Sequence, residues 1–376
     1  MPLVKLRLAG VAAAALLCAG PAYAGAPPVS ARAFFVVNPA TGEVLAQHRA
    51  WARVPIASIT KLMTVLVALD HTRWDDVVRV HADAADVGES TINLRAGERI
   101  TVGDLVKAAL IQSANDAADA LADYTAHGDM AAFVKLMNAK AVQLNLDRTH
   151  FTRPDGLDAR DHYSTALDVT RLAEAAMRDH RIRAVVRLRT DSIAGGRRLH
   201  TWNDLLGVFH GLYGVKTGHT AAAGWCEVAA VRRDGVTLYT TVLGSPTRSQ
   251  RNTDLASLLR WAVSRYRPVW VVRPRRVYLR AAVGYGKQSV PIVATAGAVR
   301  SVRVDRPLVE RVIAPAALAL PVSRGEQVGE VRVYSGRRLV VRRLLVTSRA
   351  VSRPGFGGRL GFYAGRTFHH IGSWFT

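Results

Sequence analysis

At 376 residues, 49% of them hydrophobic, the chain is too long for one compact core of usual size and too apolar for a disordered tail, so a large domain with a smaller companion is the expected plan. A formal net charge of +22 directs attention to anionic partners. No internal repeat, low-complexity run or metal-ligand constellation is visible, which excludes a repeat array and leaves metal and cofactor at none.

Lys5 and Arg7 precede an apolar stretch at 8–18, and Ala22, Tyr23 and Ala24 offer a small-residue cleavage site before Gly25. Residues 1–24 therefore read as a secretory signal, with an apolar run too short to cross a bilayer. Leu17 is too large for the position before a lipid-attachment cysteine, so Cys18 is not read as one. After cleavage only Cys226 remains, which cannot make an internal disulfide; export rests on the leader, and Cys226 reads as a small core residue on a strand.

Segments 33–37 and 43–47 alternate around a turn at 38–42 and predict an opening hairpin. Helical periodicity then runs from Ser58 to about 178, with helices expected at 102–110, 116–124 and 130–144. Strands are expected at 214–219, 224–231 and 236–243, and a helix at 252–266. Early and late strands flanking a helical middle predict an α/β protein of the α+β kind, one antiparallel sheet closed by both chain ends, over 25–267. From 268 valine and arginine alternate between turns at Gly284, Gly325 and Gly336, predicting a small antiparallel all-β domain at 268–348. Segment 264–376 holds 21 basic and 4 acidic residues, so it carries +17 of the formal charge. Export makes nucleic acid the least fitting polyanion, leaving an anionic membrane surface or an acidic wall polymer, with a solvated basic face as the plain alternative. In the tail at 349–376, Leu360, Tyr363, Ala364, Thr367, Phe368, Ile371, Trp374 and Phe375 follow helical spacing, an amphipathic anchor that Gly361, Gly365 and Gly372 weaken toward a frayed end.

Three short motifs carry the chemistry. Ser58-Ile59-Thr60-Lys61 places a hydroxyl and an amine three residues apart, on one face of a helix, so that Lys61 can reach the Ser58 oxygen and take its proton. A helix start also directs backbone N–H groups toward negative charge developing there. Lys61 is a base only when neutral, and burial with a second cation nearby, for which Lys216 is the candidate, would lower its pKa. Arginine cannot replace it, and two of only seven lysines fall inside the motifs. Ser113-Ala114-Asn115 and Lys216-Thr217-Gly218 are each unremarkable alone, as a helix cap and a strand end. Together with the first motif they supply nucleophile, base and a cationic anchor for a carboxylate, the set found in penicillin-recognising enzymes.

The chain closely resembles the serine D-alanyl-D-alanine carboxypeptidases, the low-molecular-mass penicillin-binding proteins, over about 30–265. Beyond the motifs, Arg153-Pro154-Asp155-Gly156-Leu157-Asp158 with His162, Ser164, Thr165, Ala166 and Asp168, then Asn203-Asp204-Leu205-Leu206, and Ala223-Gly224-Trp225-Cys226 match family segments. Arg153 stands where many members have asparagine, and Trp202 where a polar residue is common. The resemblance implies a β-lactamase/transpeptidase-like catalytic domain with its site between sheet and helical region. It also implies an oxyanion hole from the backbone N–H groups of Ser58 and His219, substrate binding by Thr217, Gly218, His219 and Arg251, and an Asn115 bond to the substrate amide. Ser58, Lys61, Ser113, Asn115 and Lys216 are the implied catalytic set, peptidoglycan stem peptides the substrate, β-lactams covalent inhibitors, and the outer face of the cytoplasmic membrane or the periplasm the location.

Rival readings share parts of this set. A β-lactamase of the related class needs a glutamate after the Ser-x-Asn motif, and none occurs between Asn115 and Glu174. A DD-endopeptidase cutting cross-links would use the same residues. A non-catalytic wall-binding protein is disfavoured because all three motifs are intact.

Overall fold

The computed structural model of the chain describes residues 25–285 and 288–357, with Leu360 and the pair Ala14–Ala15 in addition. Apart from that pair and Leu360, the leader expected at 1–24 and the anchor residues from 358 onward lie outside the described residues. Two compact units divide between Ser264 and Arg265. The division falls just before the expected boundary at 267, because the strand Tyr266–Val272 pairs with Ala298–Arg303 inside the second unit.

In the first unit β1 (Ala33–Asn38) and β2 (Glu43–His48) form the opening hairpin, with Gly42 at φ +68 in its turn. A 3-10 turn, Ala57–Thr60, runs directly into α1 (Lys61–His71). Every residue of α1 from Lys61 to Leu69 is buried, as expected of a helix apolar on nearly all sides. α2 (Val102–Lys107) starts at Thr101, whose hydroxyl accepts from the Asp104 N–H at 3.1 Å. The helix expected through 110 instead widens into a π-turn, Ala108–Gln112, and stops at Ser113, which adopts φ +66. α3 (Asn115–Thr125), α4 (Met130–Gln143) and α5 (Ala166–Ala176) then surround α1.

β3 (Leu212–Thr220), β4 (Gly224–Arg233) and β5 (Val236–Ser245) return to the hairpin, and α6 (Arg248–Ser264) closes the unit. The antiparallel sheet runs β2-β1-β5-β4-β3, so the two ends of the unit meet at its centre and β3 forms an edge. Along β5 successive side chains point to opposite faces. Tyr239 and Leu243 join the helical core, and Thr241 bonds Thr170 of α5 at 2.7 Å. α6 packs on β4 and β5, with its Asp254 accepting from Ser245 of β5 at 3.0 Å and from Ser30 at 2.8 Å. With both faces covered, the strands are buried almost continuously.

The second unit is built mainly of antiparallel strands, as its valine alternation predicts, with one short parallel pair where Ala282 and Val283 meet Ala317 and Leu318. Val331, Val333, Val341 and Leu345 point into a core with Ile292 and Val272. The other face of the same strands carries Arg311, Arg332 and Arg342 opposite one another in register. Glu330, beside them, is clamped between Arg332 and Arg342.

Candidate active site

Ser58 lies half-buried in the 3-10 turn, entered through Ala57 at φ +50, and Lys61 opens α1 one turn later. Lys61 Nζ is fully enclosed, 2.9 Å from Ser58 Oγ, 2.7 Å from Asn115 Oδ1 and 2.6 Å from the Asp155 carbonyl oxygen. Three acceptors hold the amine at Ser58, so the spacing read from the sequence becomes a direct hydrogen bond. The left-handed turn at Ser113 carries the chain from the π-turn into α3, which aims Asn115 at Lys61 and Ser113 toward β3. There Lys216 Nζ donates to Ser113 Oγ at 2.8 Å and to the Thr217 carbonyl at 2.9 Å.

Burial is the main cause of low proton affinity in both lysines. It brings Lys61 down to about 8, opposed by Asp155 and Asp119 and aided by Arg153. Lys216 falls well below its ordinary value, by burial first and the charge of Lys61 second. Arg153 therefore assists Lys61 as a further cation, beside Lys216, whose charge and that of Lys61 repel each other. Mutual repulsion between two enclosed amines still means that they do not comfortably carry two protons together.

Two glycines let the elements meet. A Cβ on Gly218 of β3 would stand 2.8 Å from the Ile56 carbonyl oxygen and 3.0 Å from the Ser58 nitrogen. Only a bare backbone lets this edge strand lie against the nucleophile turn. Gly156, at φ +84, has the Ala57 carbonyl and Thr60 Oγ1 where a side chain would go. Thr60 in turn bonds His162 Nε2 at 2.8 Å, while His162 Nδ1 accepts the Thr152 N–H at 3.1 Å, which fixes the proton on Nε2. Burial lowers the His162 pKa to about 4, so this ring is a neutral brace.

On β3, Thr217 and His219 lie on the face opposite Lys216 and Gly218. The His219 ring is exposed and stacks on Trp225 with centroids 4.0 Å apart. Arg251 comes from α6 and is 1% exposed, with its guanidinium on Asn252 Oδ1 at 2.6 Å, Asp204 Oδ2 at 3.1 Å and the Trp202 carbonyl at 3.4 Å. Glu227 of β4, opposite Thr217, comes within 3.2 Å of Arg251, although neither Glu227 oxygen has a hydrogen-bond partner. Burial raises the Glu227 pKa to about 7 against the pull of Arg251. Of the predicted residues, Ser58, Lys61, Ser113, Asn115, Lys216 and Gly218 thus converge, whereas Arg251 is engaged in its own buried cluster beside Trp225.

Sequence reading missed the Asp155 carbonyl, the His162 brace and the Glu227 partner of Arg251. It also missed Asp119, one helical turn after Asn115 on the same face of α3, a spacing that was available. Cys226 is buried on β4, and burial raises its thiol to about 11, which leaves it unreactive. Among the described residues no group of His, Cys, Asp or Glu side chains is arranged to hold a metal ion, and no helix is long and apolar enough to cross a membrane.

A serine bonded to an enclosed lysine, faced by a second serine-lysine pair from a sheet edge, defines a serine peptidase on an α+β scaffold. The sequence pattern of peptidase family S11, D-alanyl-D-alanine carboxypeptidase, matches residues 21–247. The D-alanyl-D-alanine carboxypeptidase DacC of Escherichia coli (strain K12) is 32% identical over 369 residues, covering 93% of this chain and 92% of that protein. The crystal structure of the D-alanyl-D-alanine carboxypeptidase DacD from Francisella tularensis aligns with a TM-score of 0.63 at 25% identity, over 90% of this chain and 97% of that one. The Streptomyces K15 DD-transpeptidase aligns with a TM-score of 0.61 at 30% identity, over 64% of this chain and all of that one. The chain belongs to the D-alanyl-D-alanine carboxypeptidase family, the low-molecular-mass penicillin-binding proteins.

Proposed function

We propose that the chain removes the terminal D-alanine from peptidoglycan stem peptides through an acyl-enzyme on Ser58, and that β-lactams trap it at that ester. The observation that carries this reading is the 2.9 Å bond between Lys61 Nζ and Ser58 Oγ inside an enclosed site. An extended peptide lies along the open edge of β3 by strand addition. Its terminal carboxylate is held by Lys216 and Thr217, with Arg251 behind them. A carboxylate arriving there favours the charged form of Lys216, which leaves the neutral amine at Lys61.

Ser58 Oγ attacks the carbonyl carbon of the penultimate D-alanine as Lys61 accepts its proton, and the oxyanion is met by the backbone N–H groups of Ser58 and His219. Asn115 bonds the substrate amide. The C–N bond then breaks, the departing amine takes a proton from Lys216 through Ser113, the proton held on Lys61 replaces the one Lys216 gave, and free D-alanine leaves. Water adds to the ester and gives a proton to the neutral Lys61, which passes it to Ser58 Oγ as the ester C–O bond breaks, releasing the shortened stem peptide.

The leader pattern read at 1–24 supports a reaction outside the cytoplasm, with the arginine row of the second unit as an attachment surface for an anionic membrane or wall polymer. Digestion of pentapeptide stems and cross-linked dimers, followed by mass spectrometry, tests the reaction. Loss of one alanine from the pentapeptide, abolished in Ser58→Ala, is the expected result. Scission of dimers with intact pentapeptide would reject the carboxypeptidase reading in favour of an endopeptidase.

A further inference from the structure

Beneath Lys61 lies a charged cluster that the reaction scheme does not use. Asp155, whose backbone oxygen accepts from Lys61, is fully buried, and its carboxylate is gripped by Arg153 through Nε at 2.5 Å and Nη2 at 2.6 Å. Asp155 Oδ1 also accepts the Leu157 N–H at 2.9 Å. Asp119 faces the same region from α3, one turn after the Asn115 that bonds Lys61, and its Oδ1 is buried without a hydrogen-bond partner. Its neighbour Asp116 differs, because its oxygens accept the N–H groups of Ile92, Leu94 and Ala117. An orphaned buried carboxyl oxygen costs stability unless it does something there.

We infer that Asp119 and Arg153 are opposed positioning residues for the base: Asp119 favours the charged amine of Lys61, while Arg153, by neutralising Asp155 and adding its own charge, favours the free amine. The inference rests on the reading of Lys61 as general base. Other ionisable groups facing Lys61 are Asp116 from α3, Asp155 and His162 from the segment after α4, and Lys216 from β3. Asp116 is satisfied by backbone donors, His162 is neutral, Asp155 is paired and Lys216 belongs to the reaction scheme, which leaves Asp119 and Arg153 as the charged groups to vary, neither of them a hydrogen-bond partner of Lys61. The directions of the shifts agree. Asp119 is pushed up to about 7 by burial and then by Asp155, and both Asp119 and Arg153 act on Lys61 with opposite sign. The arrangement makes the working pH range of this enzyme a property of residues that touch neither substrate nor Ser58.

The test measures the second-order rate of Ser58 acylation by a fluorescent penicillin on the full-length protein between about pH 5 and pH 10, where a lysine base gives an ascending limb. Asp119→Asn should move the midpoint of that limb down by about one unit and Arg153→Gln should move it up by about as much, with the double variant near the wild type. Arg153→Lys keeps the positive charge and should keep the wild-type midpoint. Asp119→Ser, which also removes the charge, substitutes if Asp119→Asn does not fold. Lowered rates with unmoved midpoints, or shifts of the same sign, would overturn the inference and leave Lys61 as the base. A wild type with no ascending limb, or Lys61→Ala acylating at the wild-type rate, would overturn the base assignment and the inference with it.

Discussion

Lys216 Nζ bonds the hydroxyl of Ser113 at 2.8 Å and is not bonded to Ser58, so each of the two enclosed lysines has its own serine. The site is two serine-lysine pairs, Ser58–Lys61 at the start of α1 and Ser113–Lys216 bridging the start of α3 and β3. In the proposed reaction this division separates the proton acceptor for attack from the proton donor for departure, which a single pair would have to combine.

The first consequence is asymmetric loss. Lys61→Arg keeps the charge and much of the length but cannot yield a neutral base, so D-alanine release should fall by about three orders of magnitude or more. Ser113→Ala should lower kcat with a smaller change in KM, because the lost group acts on the leaving amine. Steady-state kinetics on a pentapeptide check both, with melting temperature as the control for folding.

The pH profile supplies a second prediction. Lys61 is competent above its pKa of about 8 and loses the hydroxyl proton acceptor as pH falls below it. The acylation rate of the free enzyme should therefore drop about tenfold for each pH unit on the acid side of that midpoint. His162, lowered to about 4 by burial, stays neutral over this range and contributes no limb of its own. Stopped-flow acylation at a series of pH values measures the midpoint directly.

Much of this site was legible in the chain because its chemistry is local. Ser58 and Lys61 are three residues apart, and the alternation along β3 separates Lys216 from Thr217 without any tertiary knowledge. The antiparallel sheet, the surrounding helices and the valine-rich second unit followed from periodicity in the same way. What was not legible depends on contacts far apart in sequence. The π-turn and left-handed Ser113 arise where α2 must end against the site, and nothing in Ala108–Gln112 signals that widening. Arg251 was expected to help bind the substrate carboxylate, and its enclosure by Asp204 and Glu227, distant in sequence, could not be read from the chain. A further cation acting on Lys61 is Arg153, which sequence reading had noted only as a departure from the family pattern.

Gly218 gives a third prediction. A methyl group there would press on the Ile56 carbonyl and the Ser58 nitrogen, so Gly218→Ala should displace β3 from the nucleophile turn. Because β3 is an edge strand, the rest of the sheet can hold and the loss should appear mainly in acylation. The expected result is a fall of at least about 100-fold in the rate with penicillin, in line with what a displacement of about 1 Å costs. A melting temperature within a few degrees of wild type would show that the sheet survives.

Arg251 allows binding and stability to be separated. Removing it strands Glu227, which is fully buried, so Arg251→Met should cost about 3–5 kcal/mol of folding stability. Adding Glu227→Met removes the stranded carboxyl and should recover most of that loss. If Arg251 also serves the substrate carboxylate, KM for the pentapeptide should remain raised in the double variant, whereas a purely structural arginine would give back wild-type KM. Denaturation curves and steady-state kinetics on the three proteins decide between these outcomes.

The arginine row of the second unit leads to the last prediction. Arg311, Arg332 and Arg342 stand opposite one another on neighbouring strands, with one carboxylate, Glu330, among them, and Leu344 and Ile313 exposed on the same face. Like charges placed opposite each other across strands repel, and an anion bridging them would relieve that repulsion. The triple variant Arg311→Gln, Arg332→Gln, Arg342→Gln should therefore keep its fold and its activity on a soluble pentapeptide, while losing sedimentation with anionic vesicles or with acidic wall polymer. Binding by the wild type should weaken steeply as salt shortens the screening length to about 8 Å near physiological strength. Comparing vesicles with purified polymer identifies the partner, and undiminished binding of the triple variant to both would remove this face from consideration.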